Sequence, residues 1–357
     1  MKYASVAIAL IVLAALAACS VEFNDDTGIS SFAVRVSDGP TGTVSDSQAF
    51  PNEPLRFVLQ IRALDQAGNF LSSYNGKVAF RIDPVGRLAA GQPSRLEIEN
   101  GKADDVEVFV EVCHGAVAIW VEDAGGLEQE GSYAAGSSQV LYFADPTIAQ
   151  VQRTDNFESS GLFGDFVEIR AADRNVVVTN VRRDGFYCQD LDEPEGAYAG
   201  MYVYTHNRPD VETGVRLTAL RGQVDEFFGF TELGFPDYLT AGSGDEVEPA
   251  VITSSRVGGD DAMEQLESSL VRIENVTVCP VNEQYYAYDQ WPVSFDGLAG
   301  CEDTTGTILI AETQVFDTID PPALAGEIFT RITGTLRYHY LADPSWMLIP
   351  RRAADFE

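Results

Sequence analysis

The sequence predicts an all-β protein of serial small domains, a β-sandwich followed by two repeated β-barrels. Three observations carry that prediction. Apolar and polar residues alternate with period two through short runs rich in β-branched and aromatic side chains, Gly, Pro, Asn and Asp separate those runs, and the second part of the chain repeats itself. With 357 residues, 45% hydrophobic and 10% aromatic, the chain can bury proper cores, and its length suits two or three domains.

The amino-terminal stretch stands outside that pattern. Lys2 supplies one positive charge, and Ala4 to Ala18 is apolar apart from Ser5. The run is shorter than the roughly 20 residues that span a bilayer and it ends in small residues, as a cleavable export signal does. Leu16-Ala17-Ala18-Cys19 resembles the lipobox of bacterial lipoproteins. That resemblance implies a signal peptide over 1–18, diacylglycerol on the thiol of Cys19 and cleavage before it. Ser20, in place of the Asp associated with inner-membrane retention, implies the outer membrane or cell surface. Each buried CH2 of such lipid contributes about 0.8 kcal/mol, so several acyl chains anchor far more firmly than one. Residues 19–28 read as a short acidic tether.

Cleavage after Ala18 removes 18 of 357 residues and leaves 339; it takes Lys2 but no acid, so 22 basic residues face 55 acidic ones, a formal charge of −33. Such a field opposes nucleic-acid phosphates, whose binding needs Lys and Arg to displace counterions, and it opposes unassisted docking on anionic lipid. Solubility, cation binding or a basic partner remain compatible with it.

From Ile29 the period-two runs begin: Ser31–Val36, Leu55–Arg62, Lys77–Ile82, Val106–Val112 and Val117–Val121. They predict a β-sandwich over 29–145. The ordered markers Asp65-Gln66-Ala67-Gly68-Asn69, Tyr74-Asn75-Gly76-Lys77-Val78, Asn100-Gly101 and Trp120-Val121-Glu122-Asp123-Ala124-Gly125-Gly126 resemble those of bacterial immunoglobulin-like surface domains. The resemblance implies an immunoglobulin-like sandwich.

After Ala144-Asp145-Pro146-Thr147, read as a linker, the chain echoes itself. Val167-Glu168-Ile169 with Val176–Thr179 matches Val271–Val278, Gly200–Tyr204 matches Gly306–Ile310, and Val215–Val224 matches Phe329–Leu336. Units of about 100 residues suit a five-stranded OB-like barrel, giving domains at 146–245 and 246–357. The alternative is one larger β-domain whose halves look alike because strands do. Asp184–Asp190, Gly200–Tyr204, Leu220–Leu233, Leu266–Ile273 and Leu348–Asp355 resemble OB-like segments that accompany secreted endonuclease, exonuclease and phosphatase domains. They are also similar to lipoproteins of myxobacteria in which such segments occur without an enzyme.

Besides Cys19 the chain has Cys113, Cys188, Cys279 and Cys301. In an oxidising envelope these predict two disulfides, with three pairings open. The favoured set joins Cys279 to Cys301 in a local loop and Cys113 to Cys188 across two domains.

No catalytic constellation is evident. The three histidines, His114, His206 and His339, are isolated, and no Gly-x-Ser-x-Gly, His-Glu-x-x-His or phosphate-cradling glycine loop is present. His206 near Asp210 reads as a turn. The expectation is therefore a chain without enzymatic activity and without a cofactor, structural calcium excepted. Calcium takes six to eight oxygen ligands, often from loops, and Asp190, Asp192, Glu193 and Glu195 place four carboxylates on one loop; a solvated acidic loop is the alternative. Phe227-Phe228-Gly229-Phe230 and Tyr285, Tyr286 and Tyr288 with Trp291 suggest stacking surfaces of the kind OB-folds use for oligosaccharides, against the alternative of barrel core and a capping loop. Together these readings predict a lipid-anchored, non-catalytic binding or scaffold protein of the envelope, with a protein or glycan partner and no nucleic acid. The alternative is an accessory subunit of a separately encoded secreted nuclease or phosphatase.

Overall fold

The computed structural model describes residues 28–125, 134–154, 159–193, 197–257, 259–302, 306–342 and 344–357. Cys19, the tether up to Thr27, and Glu195 of the acidic loop lie outside the described residues. Strands hold 47% of the residues and helices 11%, so the chain is all-β as predicted. It divides into two compact units at Phe143/Ala144.

The first unit is a sandwich of nine strands: β1 (Ser31–Asp38), β2 (Leu55–Leu64), β3 (Gly76–Asp83), β4 (Arg87–Leu88), β5 (Arg95–Ile98), β6 (Lys102–Glu111), β7 (Gly115–Asp123), β8 (Ala135–Ser137) and β9 (Leu141–Phe143). They run in the order β4-β6-β2-β1-β8-β7-β3-β5, with β9 also beside β7. A single parallel pair, Ser31 with Ala135, joins the two halves. Alternation then does what the sequence predicted. Phe57, Leu59 and Ile61 of β2, Val108 and Val110 of β6, Val78 of β3 and Ile119 and Val121 of β7 point into one core. The Asp65–Asn69 marker is a turn in which Asp65 Oδ1 accepts the amides of Ala67 and Asn69 at 2.9 and 2.8 Å. Buried Tyr74 donates its hydroxyl to Asp123 at 2.9 Å.

The second unit contains two closed five-stranded barrels. Helix α1 (Ile148–Gln152) opens it. Thr147 caps α1 in a reciprocal capping box with Gln150. The predicted linker is thus part of the fold at its end, where Pro146 and Thr147 are buried.

The first barrel comprises β10 (Phe166–Ile169), β11 (Val176–Val181), β12 (Gly185–Asp190), β13 (Gly200–Tyr204), β14 (Val215–Glu226) and β15 (Thr231–Ser243). β10 and β11 together act as one broken first strand, both pairing with β14. The ring closes as β11-β12-β13-β15-β14-β11, with β13 and β15 parallel. The second barrel comprises β16 (Ala250–Ile252), β17 (Leu270–Val278), β18 (Gln290–Ser294), β19 (Thr307–Ala311), β20 (Ile328–Tyr338) and β21 (Trp346–Ile349). It closes as β17-β18-β19-β21-β20-β17, again with its third and fifth strands, β19 and β21, parallel. The two rings therefore share the OB strand order. Each pair of segments that echo one another in the sequence occupies equivalent strands: β10 and β11 with β17, β13 with β19, and β14 with β20.

One predicted disulfide forms and the other does not. Cys279 and Cys301 are bonded, with Cα atoms 5.5 Å apart and a sequence separation of 22. Closing a loop of that length contributes about 3 kcal/mol in the chain-entropy account. Cys113 and Cys188 are free thiols, each fully buried in the interior of its own unit. Each thiol would have to leave its own packed interior to reach another cysteine, so the predicted bridge between the domains is corrected to two core residues. Burial pushes the Cys113 thiol up to about 12 and raises that of Cys188 as well, which keeps both protonated and unreactive.

Candidate functional site

An OB barrel meets ligands on the outer face of its second and third strands and on the loops joining strands one to two and four to five. In the first barrel that face is closed. The register sets Tyr187 of β12 opposite Tyr202 of β13, with ring centroids 4.7 Å apart, while the neighbouring pair Phe186 and Val203 points the other way. Tyr187, Tyr202 and Phe230 are buried together with Leu309 and Ala311 of β19 and Met347 and Ile349 of β21. Those four belong to the outside of the second barrel, whose inside holds Ile308, Ile310 and Leu348. The two barrels thus seal the first one's strand face between them.

Polar groups fix this contact. Asn180 donates to Thr335 at 3.1 Å, and Gln189 accepts the Leu270 amide at 3.0 Å. Glu267 accepts the Thr231 amide at 3.1 Å, and Arg182 pairs with Glu312. Gly200 lets β13 lie against Ser268 and Ser269, because a Cβ there would come within 2.2 Å of the Ser268 carbonyl carbon. The Arg337 guanidinium lies 4.8 Å from the Phe230 ring centroid and 5.9 Å from that of Tyr202.

Two carboxylates are trapped beside it. Burial pushes Glu232 up to about 7, against the pull of Arg337 and with help from Asp225, Asp184 and Glu226. Burial raises Glu267 strongly too, and Glu264 adds to that shift. A carboxyl whose folded pKa is raised binds its proton more tightly in the folded state. Its contribution is complete below the ordinary glutamate value and is lost as pH rises toward the folded one. Glu232 therefore costs the fold up to about 3 kcal/mol, accumulating between about pH 4.5 and about 7. Glu232→Gln should match the wild-type stability near pH 4.5 and exceed it near pH 8 in denaturant unfolding. Equal stability of the two proteins at both pH values would contradict this account.

What remains accessible is the loop set. The turn from β14 to β15 carries Phe227 and Phe228, both exposed, and the loop after β20 carries His339 and the exposed Tyr340 and Leu341. These are equivalent loops of the two barrels, and they pack on one another. Phe228 stacks on His339 with centroids 5.0 Å apart and lies 5.4 Å from Tyr340, while the Tyr340 amide donates to the Phe228 carbonyl at 3.3 Å. Desolvation and nearby Arg337 lower the His339 pKa, which favours the neutral imidazole in the stack. Arg337 also reaches Phe227, 5.8 Å from its centroid. The result is one aromatic surface assembled from both barrels.

The predicted stacking residues of the second barrel separate into two groups. Helix α2 (Glu283–Tyr288), in the loop between β17 and β18, exposes Tyr286 and Tyr288, 72% and 70% accessible, and packs Tyr285 partly against the core. The disulfide ties Cys279, at the start of this loop, to the loop between β18 and β19. Trp291 does not join them. It is completely buried, its indole donates to Thr313 at 2.9 Å, and it lies over Phe356. The stacking assignment of Trp291 is corrected to core.

The acidic loop is likewise bound up internally. Arg174 pairs with buried Asp190 and reaches Glu193 at 2.6 Å, while Asp192 accepts the Asn175 amide at 2.8 Å. A guanidinium thus stands where the calcium reading would put its cation, and among the described residues no group of three or more His, Cys, Asp or Glu side chains could hold a metal ion.

Sequence reasoning missed His339, Tyr340 and Arg337. The signal was present in the repeat, because His339-Tyr340 follows the strand equivalent to the one that precedes Phe227-Phe228. Among the described residues, no helix is long and apolar enough to cross a membrane. No family model and no curated protein matches the chain.

Proposed function

We propose that this chain is a non-catalytic binding protein of the cell envelope, held by lipid on Cys19 at the outer membrane or cell surface, and that it takes a glycan on its paired aromatic loops. The observation that carries the reading is the stack of Phe228 on His339 with Phe227 and Tyr340 exposed beside it. Flat apolar rings beside polar loops suit the C–H faces of sugars, whereas a formal charge of −32 on the whole chain repels nucleic-acid phosphate. The absence of a nucleophile motif and the scarcity of histidine support a binding role over catalysis.

The test uses the whole chain. Cys19→Ser should move the protein from the membrane fraction to the soluble one. That soluble form should bind purified envelope polysaccharide or cell-wall sacculi. Phe228→Ala and Tyr340→Ala should each weaken binding about 5-fold, equivalent to about 1 kcal/mol per ring, with little change in melting. Binding that is absent, or indifferent to both substitutions, would sink the glycan reading. Retention of Cys19→Ser in the membrane would sink the lipid anchor.

A further inference from the structure

A separate recess of about 380 Å³ lies between the barrels, and the aromatic loops take no part in it. Its lining follows from the strand ladder. β17 runs between β16 and β20. On the β20 side Arg272 sits opposite Thr333 and Glu274 opposite Arg331, and on the other side Ala250 enters β16 beside Val271. The segment leading into β16 carries Glu246 and Glu248, so acids approach one flank of β17 while Arg272 and Arg331 occupy β17 and its other flank. Arg352 is added by the terminal turn, where buried Asp355 accepts the amides of Arg351 and Arg352 at 2.8 and 3.2 Å.

Thr179 faces the recess from the first barrel. It is the extra residue of a bulge in β11, between Val178 opposite Cys188 and Asn180 opposite Tyr187. Bulges re-aim side chains. The Thr179 hydroxyl is buried and has no hydrogen-bond partner among the described residues, which is unusual for a native polar group. The arginines also hold donors in reserve. Arg272 pairs with Glu274, Arg331 with Glu357 and Arg352 with Asp355, but a guanidinium has five N–H groups and one carboxylate accepts at most a bidentate pair of them.

We propose that this recess binds a zwitterion of short-peptide size, its carboxylate on Arg272, Arg331 and Arg352, its ammonium on Glu246 and Glu248, and a peptide group on the Thr179 hydroxyl. A pure anion meets the acids and a pure cation meets the arginines, so only a ligand with both charges satisfies the two flanks. The volume is at the small end of the range for small-molecule pockets.

The probes are a panel of dipeptides with free termini, together with their N-acetylated and C-amidated forms, titrated calorimetrically into the soluble full chain. At least one free dipeptide should saturate a single site. Blocking either terminus should weaken it at least about 10-fold, which is about 1.4 kcal/mol. Arg331→Gln and the exposed Glu248→Gln should each do the same with their melting curves preserved, and Phe228→Ala should leave dipeptide binding unchanged. Failure of every dipeptide to saturate, or blocked forms that bind as tightly as free ones, would overturn the proposal. So would indifference to both charge substitutions.

Discussion

Replacing Arg174 by Ala is expected to destabilise the second unit by about 3–5 kcal/mol, the cost of stranding a buried charge. Asp190 is 1% accessible and Glu193 largely covered, and Arg174 is the cation paired with both. The Asp190 pKa is already raised by burial, with Arg174 pulling it back. Removing Arg174 leaves the Asp192 amide as the remaining hydrogen bond that opposes burial, so Asp190 should protonate still more readily in the folded state. By linkage the deficit is largest near neutral pH and shrinks as pH falls through the raised value. In a unit of this size the shift corresponds to a fall in melting temperature of roughly 10 °C. Arg174→Lys should recover part of it, because one ammonium can meet one carboxylate but cannot fork to two. A melt of Arg174→Ala that coincides with wild type near pH 7 would show that solvent already screens Asp190. Added calcium should leave the wild-type melt unchanged, since the guanidinium holds both carboxylates.

The contrast between Arg174 and the strands shows what a sequence can disclose. Period-two alternation is a local signal, and every run read from it between Ser31 and Val121 falls on a strand. The repeat is also local once aligned, because Val215–Val224 and Phe329–Leu336 carry equivalent strands of equivalent rings. Pairing of a loop carboxylate is not local. Asp190 ends β12 and Arg174 precedes β11, and only the hairpin between them brings the two together. Asp190 and Glu193 read as open ligands in the sequence because their counter-charge, Arg174, is brought to them only by folding. Closure of the Tyr187–Tyr202 face was hidden in the same way, because the side chains covering it come from the second barrel. Cys113 and Cys188 illustrate the converse error. A count of cysteines in an oxidising compartment suggests pairs, yet each thiol is buried in its own unit, Cys188 on strand β12 and Cys113 in the loop between β6 and β7. Trp291 could have been placed correctly, because it shares parity with Val293 in β18 and that parity is the core face.

Trp291→Ala is therefore expected to cost about 3–5 kcal/mol, the range for emptying a large aromatic site in a core. Two effects add. The indole fills the interior beside Phe356, and its N–H bonds Thr313, whose hydroxyl in turn donates to Asp289 at 3.0 Å. Asp289 also accepts the Gln314 amide at 2.6 Å and terminates α2 in the left-handed conformation. Loss of the indole thus opens a cavity and loosens the residue that ends the helix presenting Tyr286 and Tyr288. Trp291→Phe keeps most of the volume and forfeits the hydrogen bond, so it should cost only about 1–2 kcal/mol. A ligand-stacking residue behaves differently: its truncation leaves stability intact and weakens binding alone. Denaturant unfolding of the two variants, followed by far-UV circular dichroism, separates these cases. An unfolding midpoint for Trp291→Ala equal to that of wild type would return Trp291 to the surface and reopen its role in stacking.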